Sequence, residues 1–330
     1  MATRKKDKKR TVLVTGGAGF MGSHFVNHSV RKYPSEHFVV VDSLTAVADK
    51  KNISVWGAKN FTFVRCDIRN MRALEKIFKK FAPERVVHFA AETHVDVSIR
   101  HPQIFLETNV MGTFNLLTLA HAYKASRFLH ISTDEVYGAL PPKGRAFTES
   151  SPFNPNSPYS ASKAGAEHIV RAFHETYGLD TVIARCTNNY GPGQDATKFI
   201  PVCITRALLG KQLPIYGKGL NVRDWIYVSD STAAFDAVLR CGKSGEVYNI
   251  GAGVQMRNID VARQILKQTG RDASLISYVH DRPGHDFRYA LNTAKIRREL
   301  NWKPKVHFDE GLQKTVEWDK TRQTRGPKNR

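Results

Sequence analysis

No stretch of this chain approaches the roughly 18 consecutive apolar residues of a membrane span. A secretion signal is not expected either. The basic opening MATRKKDKKR runs into the strand-like TVLVT instead of an apolar core. Cysteine is scarce: four residues in 330, Cys66, Cys186, Cys203 and Cys241, with no CxxC spacing. Such usage excludes a disulfide or zinc framework and suits a reducing, cytoplasmic location. There is no internal repeat and no long low-complexity segment, which excludes solenoids and fibrous folds. His24 and His28 share a helix face, but the pattern brings no third ligand to them, so no metal site is expected. Acidic residues are few, 30 against 50 Lys and Arg, for a net charge of +20. Residues 1–10 carry six basic and one acidic residue, and residues 320–330 carry five basic and no acidic ones, so half of the excess sits in two tails. Those tails, 1–10 and 319–330, read as solvated ends, with attraction to polyanions as the alternative.

What is present is ordinary for a folded domain: 41% hydrophobic and 24% charged residues. Short β-branched runs at 11–15, 38–42, 61–65, 85–89, 127–132 and 181–185 alternate with helical patterns at 20–32, 70–81, 102–123 and 158–177. The last of these has Ser157 as N-cap, Pro158 in the first turn and Gly178 after its end. Apolar strands alternating with helices predict an α/β fold with a doubly wound parallel sheet of Rossmann type. Beyond residue 186 prolines and glycines become denser and the units shorter. The expected organisation is a dinucleotide-binding domain over 11–186 and a smaller mixed α/β substrate lobe over 187–318. The chain is expected to return to the first domain at about 224–250.

Gly16-Gly17-Ala18-Gly19-Phe20-Met21-Gly22 follows the first strand and opens the first helix. Glycines there permit a tight turn and let backbone approach a pyrophosphate at a helix N-terminus. Asp42 ends the second strand, where a carboxylate holds ribose hydroxyls and repels a 2′-phosphate, so NAD is favoured over NADP. Asp67-Ile68, after the third strand, could flank the adenine, and Ala90-Ala91, after the fourth, leave room for the cofactor. Tyr159 and Lys163 are four apart on one helix face. A neighbouring ammonium should favour the phenolate and lower the phenol's pKa, making Tyr159 a base for a hydroxyl proton. Adjacent Asp134 and Glu135 could divide acid and base roles if their environments separate them. In a regular strand they would point to opposite faces, so the chain must leave strand geometry there.

The glycine motif, Asp42 and the Tyr159–Lys163 pair resemble the extended short-chain dehydrogenase/reductase family. HFAAETHVD (88–96), STDEVYG (132–138), PNSPYSASKAGAEH (155–168), RCTNNYGPGQ (185–194), VRDWIYVSD (222–230), YNIGAG (248–253) and DRPGHDFRYALNTAKI (281–296) narrow this to the nucleotide-sugar 4,6-dehydratases. The resemblance implies NAD as cofactor, a homodimer built on the helices near 102–123 and 158–177, and a nucleoside-diphosphate hexose of dTDP-glucose or UDP-glucose type as substrate. It implies Asp134 as acid, Glu135 as base and Thr133 on the C4 oxygen. Glu92, Asn188, Lys198, Arg223, Arg282 and His285 are implied to bind the substrate. Ala196, Thr197 and Val254 depart from the family pattern in the expected nucleotide lobe, and Val97 departs in the first domain. The alternatives are a 5,6-dehydratase, a C4 epimerase, or a non-catalytic NAD-binding module that engages nucleic acid through its tails.

Overall fold

The computed structural model describes residues 10–324. Residues 1–9 and 325–330, which belong to the two basic tails, lie outside the described residues.

Seven strands form one parallel sheet: β1 Thr11–Thr15, β2 His37–Asp42, β3 Phe61–Arg65, β4 Arg85–His88, β5 Arg127–Thr133, β6 Thr181–Cys186 and, later in the chain, Val247–Ile250. The spatial order is β3-β2-β1-β4-β5-β6 followed by the 247–250 strand at the edge. The order reverses beside β1, and such a switch point opens a crevice at the carboxyl ends of the strands. Helices α1 Phe20–Lys32 and α2 Met71–Phe81 cover opposite faces, so the strands are buried on both sides. In α2 the spacing of Leu74, Ile77 and Phe78 turns one apolar stripe inward, and Asn70 caps its N-terminus by accepting from Ala73 N–H.

The helical stretch expected over 102–123 is not continuous. After α3 Val95–Arg100, α4 Pro102–Phe105 passes through a π-helical segment, Leu106–Met111, into α5 Gly112–Ala122. The wider turn is paired with a tertiary clamp that no local pattern announces. Buried Asn109 accepts from Glu92 N–H at 2.8 Å and donates to Glu92 C=O at 3.0 Å and Ser162 Oγ at 2.8 Å. Helix α6 Pro158–Tyr177 starts in a capping box between Ser157 and Ser160 and stops at Gly178 in a left-handed conformation.

The second lobe contains β7 Asn188–Tyr190, α7 Phe199–Leu208, β8 Leu213–Tyr216, β9 Val222–Tyr227, β11 Gln255–Arg257, α9 Asn258–Thr269, β12 Ile276–Val279 and α11 Phe308–Thr324. Between them α8 Val228–Cys241, β10 Val247–Ile250 and α10 Ala294–Leu300 lie against the large sheet, β10 pairing with β6 and Ile296 of α10 joining that sheet's apolar cluster. Two small sheets, β11-β9-β7 and β12-β8, complete the lobe around its own apolar cluster. Their strands are three to six residues long and break the alternation on which strand reading depends. Helix α11 runs on through Thr324, past residue 319 where the sequence pattern places the start of the C-terminal tail.

Candidate active site

The glycine turn is compact because three backbones converge. Gly16 has φ +69°, and a Cβ there would lie 2.5 Å from Ala90 N; a Cβ on Gly22 would lie 2.1 Å from Gly16 O. Only glycine satisfies both approaches. The Asp42 carboxylate fastens the turn, accepting from Ala18 N–H at 2.9 Å and Leu44 N–H at 2.8 Å.

These residues line one end of a cleft that opens at the carboxyl ends of the sheet strands. Gly16, Gly19, Phe20, Met21, Gly22, Asp42, Asp67, Ile68, Ala90 and Ala91 all border it. At the other end stand Glu92, Thr133, Asp134, Glu135, Tyr159, Asn188 and Lys198. Lys163, Arg223, Arg282 and His285 are not among the lining residues. The donor set fits a dinucleotide: a helix N-terminus behind glycines, and a carboxylate at the end of β2 for a ribose. Asp67 is chelated by Arg69, whose guanidinium approaches to 2.7 Å, and this pair holds the Asp67 carboxyl below its usual range.

Strand geometry ends where the carboxyls begin. A 3-10 turn spans Asp134–Tyr137, and the Thr133 hydroxyl caps it by accepting from Glu135 N–H at 3.2 Å. Asp134 and Glu135 therefore face one cleft. Their surroundings differ. Burial, with Glu135 next to it, pushes Asp134 well above the ordinary carboxyl range, and one of its oxygens has no protein partner. Burial also raises Glu135, but Arg282, Arg223 and Lys198 oppose that shift. The pair is split into a carboxyl that keeps its proton and one that gives it up more readily.

The Tyr159–Lys163 pair departs from expectation. Tyr159 is pushed up rather than down, first by burial and then by the charge of Glu135. The Lys163 ammonium turns instead to Ile131 C=O at 2.7 Å. Burial lowers Lys163 to about 8. In this geometry enclosure outweighs any help from the neighbouring ammonium.

Of the second-lobe residues, Asn188 reaches the cleft with Oδ1 unpartnered by protein, an acceptor that suits a ligand's donor group. Lys198 spans the lobes by donating to Thr93 C=O at 2.9 Å. Arg223 is buried over the Tyr289 ring at 4.3 Å and donates to Val222 C=O and Asp286 C=O at 2.8 and 2.9 Å. Arg282 lies 3.6 Å from Asp96, with Nε unpartnered by protein. His285 Nδ1 is 2.6 Å from Asp281, and burial, aided by Arg282, lowers its pKa.

Sequence reading missed the clasp made by His94, whose Nε2 lies 2.7 Å from Thr197 Oγ1 and 3.1 Å from Asp195. It joins the loop after β4 to the loop before α7, and neither loop carries a periodic signal. Thr197 is one of the positions that depart from the family pattern. Asp195 is held down to about 2 by these partners despite its burial. His24, on the cofactor-side helix, bonds Pro192 C=O at 2.8 Å, another tie across the lobes.

A parallel sheet of this order, a glycine turn at its switch point, and a Tyr-x3-Lys helix beside a split carboxyl pair define a dinucleotide-dependent enzyme of the extended short-chain dehydrogenase/reductase type. A family model described as GDP-mannose 4,6 dehydratase matches residues 13–315, and the chain belongs to this family. It is 47% identical to a dTDP-glucose 4,6-dehydratase of Streptomyces niveus over 312 residues, 93% of this chain and 92% of that protein. A dTDP-glucose 4,6-dehydratase of Streptomyces venezuelae, solved with NAD bound, superposes with a TM-score of 0.91 at 44% identity, covering 95% of this chain and 98% of that one. The corresponding Bacillus anthracis structure, also an NAD complex, gives 0.89 at 43% identity, covering 96% and 98%.

Proposed function

We propose that this chain is an NAD-dependent hydro-lyase that converts a nucleoside-diphosphate hexose, of dTDP-glucose or UDP-glucose type, to its 4-keto-6-deoxy product. Its NAD-bound relatives of like fold support both the cofactor and the reaction class. The single observation that carries the mechanism is that Asp134 and Glu135 face one cleft in unlike surroundings: burial raises Asp134 well above its usual range, while Arg282, Arg223 and Lys198 oppose the rise at Glu135.

NAD, which Gly16, Gly19, Gly22 and Asp42 would hold, would supply the hydride acceptor and donor that the chemistry at C4 and C6 of the hexose needs. Tyr159, protonated in this enclosed geometry, would need the positive charge of the bound oxidised nicotinamide to act as base for the C4 hydroxyl proton, and Thr133 holds the C4 oxygen. Glu135, ionised among Arg282, Arg223 and Lys198, removes the C5 proton that the C4 ketone makes acidic. Asp134, which keeps its proton, delivers it to the departing C6 hydroxyl. A lone dehydrogenase would not need the second pair, which favours dehydration over simple oxidation or C4 epimerisation.

Residues 11–186 with 228–250 are assigned to the dinucleotide. The segments on either side of 228–250, from 187 to 318, are assigned to the nucleotide of the substrate, with Asn188, Arg223, Arg282 and His285 toward the diphosphate. A homodimer through α4–α6 is supported by Leu106, Met111, Phe114 and Tyr177, which are exposed on those helices. Phe105, Leu117 and Phe173 of the same helices belong to the core. The four cysteines are free, which supports a reducing, cytoplasmic setting. Among the described residues no helix is long and apolar enough to cross a membrane.

Purified protein should release NAD and not NADP on denaturation. Offered dTDP-, UDP-, CDP- and GDP-hexoses in turn, it should yield a 4-keto-6-deoxy sugar from the first or second, identified by mass and NMR. Recovery of an alkene or of a C4 epimer instead would overturn the assignment.

A further inference from the structure

Two histidines lie in a row across the sheet beneath the Tyr159–Lys163 helix. Thr15 on β1, His88 on β4 and His130 on β5 are cross-strand neighbours in register. All three are buried, and the two imidazole centroids are 5.3 Å apart. Neither ring has a part in the proton transfers assigned above.

The hydrogen bonds fix the His88 tautomer. Thr113 donates its hydroxyl hydrogen to Asn109 C=O at 2.6 Å, so toward His88 Nε2, at 2.9 Å, it can only accept. His88 therefore carries its hydrogen on Nε2, and its Nδ1 accepts from the Thr15 hydroxyl at 2.7 Å. Both nitrogens are satisfied with the ring neutral, and burial holds it so, lowering its pKa to about 3.

His130 is different. Its Nε2 lies 3.4 Å from Lys163 Nζ, and its Nδ1 has no protein partner. A buried ring nitrogen without a partner is a cost that an apolar side chain would avoid, so what the other nitrogen does calls for an explanation. Burial, followed by the charge of Lys163 and then His88, keeps this ring neutral too. An ammonium has only hydrogens to offer, so Nε2 must accept and the ring hydrogen sits on Nδ1.

We propose that His130 is a positioning residue for Lys163: its neutral imidazole accepts from the ammonium and, together with Ile131 C=O, fixes where that charge sits one helical turn from Tyr159. The proposal rests on the reading above only in taking Tyr159 and Lys163 as a working pair. The groups that face this ammonium are Tyr159, His130 with His88 behind it, and Glu167 one turn further along α6, itself paired with buried Arg185 at 2.7 Å. Glu167 raises Lys163 against the effect of burial. An acceptor bonded to the charged form also favours that form. Removing His130 should therefore let the lysine lose its proton at a lower pH.

The test reads the lysine directly and needs no catalysis. Full-length protein labelled at lysine Cε is titrated by carbon NMR, and Lys163→Arg assigns the signal by its disappearance. The parent should titrate near 8. His130→Leu should titrate lower by about one pH unit, the size of a modest change in interaction with one charge state. His130→Phe, which also lacks an acceptor but keeps a ring, should do the same and replaces Leu if that variant does not fold. His130→Gln retains an acceptor and should stay near the parent. A merely structural histidine would change the melting temperature and leave the midpoint in place. A parental midpoint in a folded acceptor-free variant overturns the proposal, as does an equal shift in Gln and Leu. If no sugar nucleotide is turned over, the proposed function fails while the titration still decides this point.

Discussion

The backbone N–H of Glu135 donates to the Thr133 hydroxyl at 3.2 Å, and the turn it closes brings two sequence neighbours to one cleft. Without it, Asp134 and Glu135 would point to opposite faces of β5. The same turn places Asp134 in the drier surroundings, which is why the two carboxyls separate in proton affinity.

Tyr159→Phe removes the group that takes the C4 hydroxyl proton. The variant should form no reduced cofactor when sugar nucleotide is added, as read by rapid-mixing absorbance. Asp134→Asn keeps the tyrosine but cannot donate to the C6 hydroxyl. Turnover should fall about 10²–10⁴-fold, the usual range for a lost general acid. Reduced cofactor and a 4-keto sugar that retains its C6 oxygen should accumulate, identified by mass after quenching. Parental oxidation in the first variant, or parental 6-deoxy product in the second, would remove these roles.

Asp42 joins the glycine turn to the site where a ribose is expected. Asp42→Ala should weaken NAD binding by about 1–3 kcal/mol, since a charged acceptor of two buried N–H groups is lost. The preference against NADP should shrink with it. Calorimetric titration of both cofactors reads the two effects, and an unchanged NAD/NADP ratio would contradict them.

Burial raises Asp224 to about 6, against the opposing pull of Gly253 and Val254 N–H groups. The unfolded chain ionises near 3.8, so the folded state binds more protons between those values. Stability from this group is thus complete below the unfolded pKa and declines as pH rises through about 6, by up to about 3 kcal/mol at 1.36 kcal/mol per unit. Asp224→Asn cannot ionise. Its melting temperature should gain on the parent between pH 4 and 7, and a constant gap would exclude this origin.

Glu167 and Arg185 form a buried pair at 2.7 Å, and Arg185 also donates to Tyr137 Oη at 2.6 Å and lies over the Phe153 ring at 4.5 Å. Glu167→Leu leaves a buried guanidinium without its carboxylate and should cost about 3–5 kcal/mol in urea unfolding. Removing both charges, Glu167→Leu with Arg185→Leu, should cost less than the sum of the two single changes. Strict additivity would mean that the pair does not interact.

Leu106 and Met111 expose about half of their surface, 54% and 53%, on the π-helical segment between α4 and α5. If these helices carry the dimer contact, Leu106→Asp with Met111→Asp should give a monomer by light scattering at micromolar concentration. The lone chain should keep its fold by circular dichroism. A dimer that persists would move the interface elsewhere.

What residue order determined by itself was local and periodic. The six strands up to residue 186, the helices over 20–32, 71–81 and 158–177, the glycine turn, Asp42, and the spacing of Tyr159 and Lys163 on one helix face follow from short-range order, because side-chain direction in a strand or helix repeats every two or 3.6 residues. The need for a break at residue 134 was legible for the same reason. The second lobe was less legible, since strands as short as Asn188–Tyr190 and Gln255–Arg257 hold too few residues to show a period. The tertiary structure decided the rest. It wound Leu106–Met111 as a π-helix around Asn109, turned Lys163 to Ile131 and His130, and drew His94, Asp195 and Thr197 together across the cleft. It also set the proton affinities of Asp134, Glu135 and Tyr159. Those depend on how completely water is excluded and which charges surround each group, and both come from residues far away in the chain.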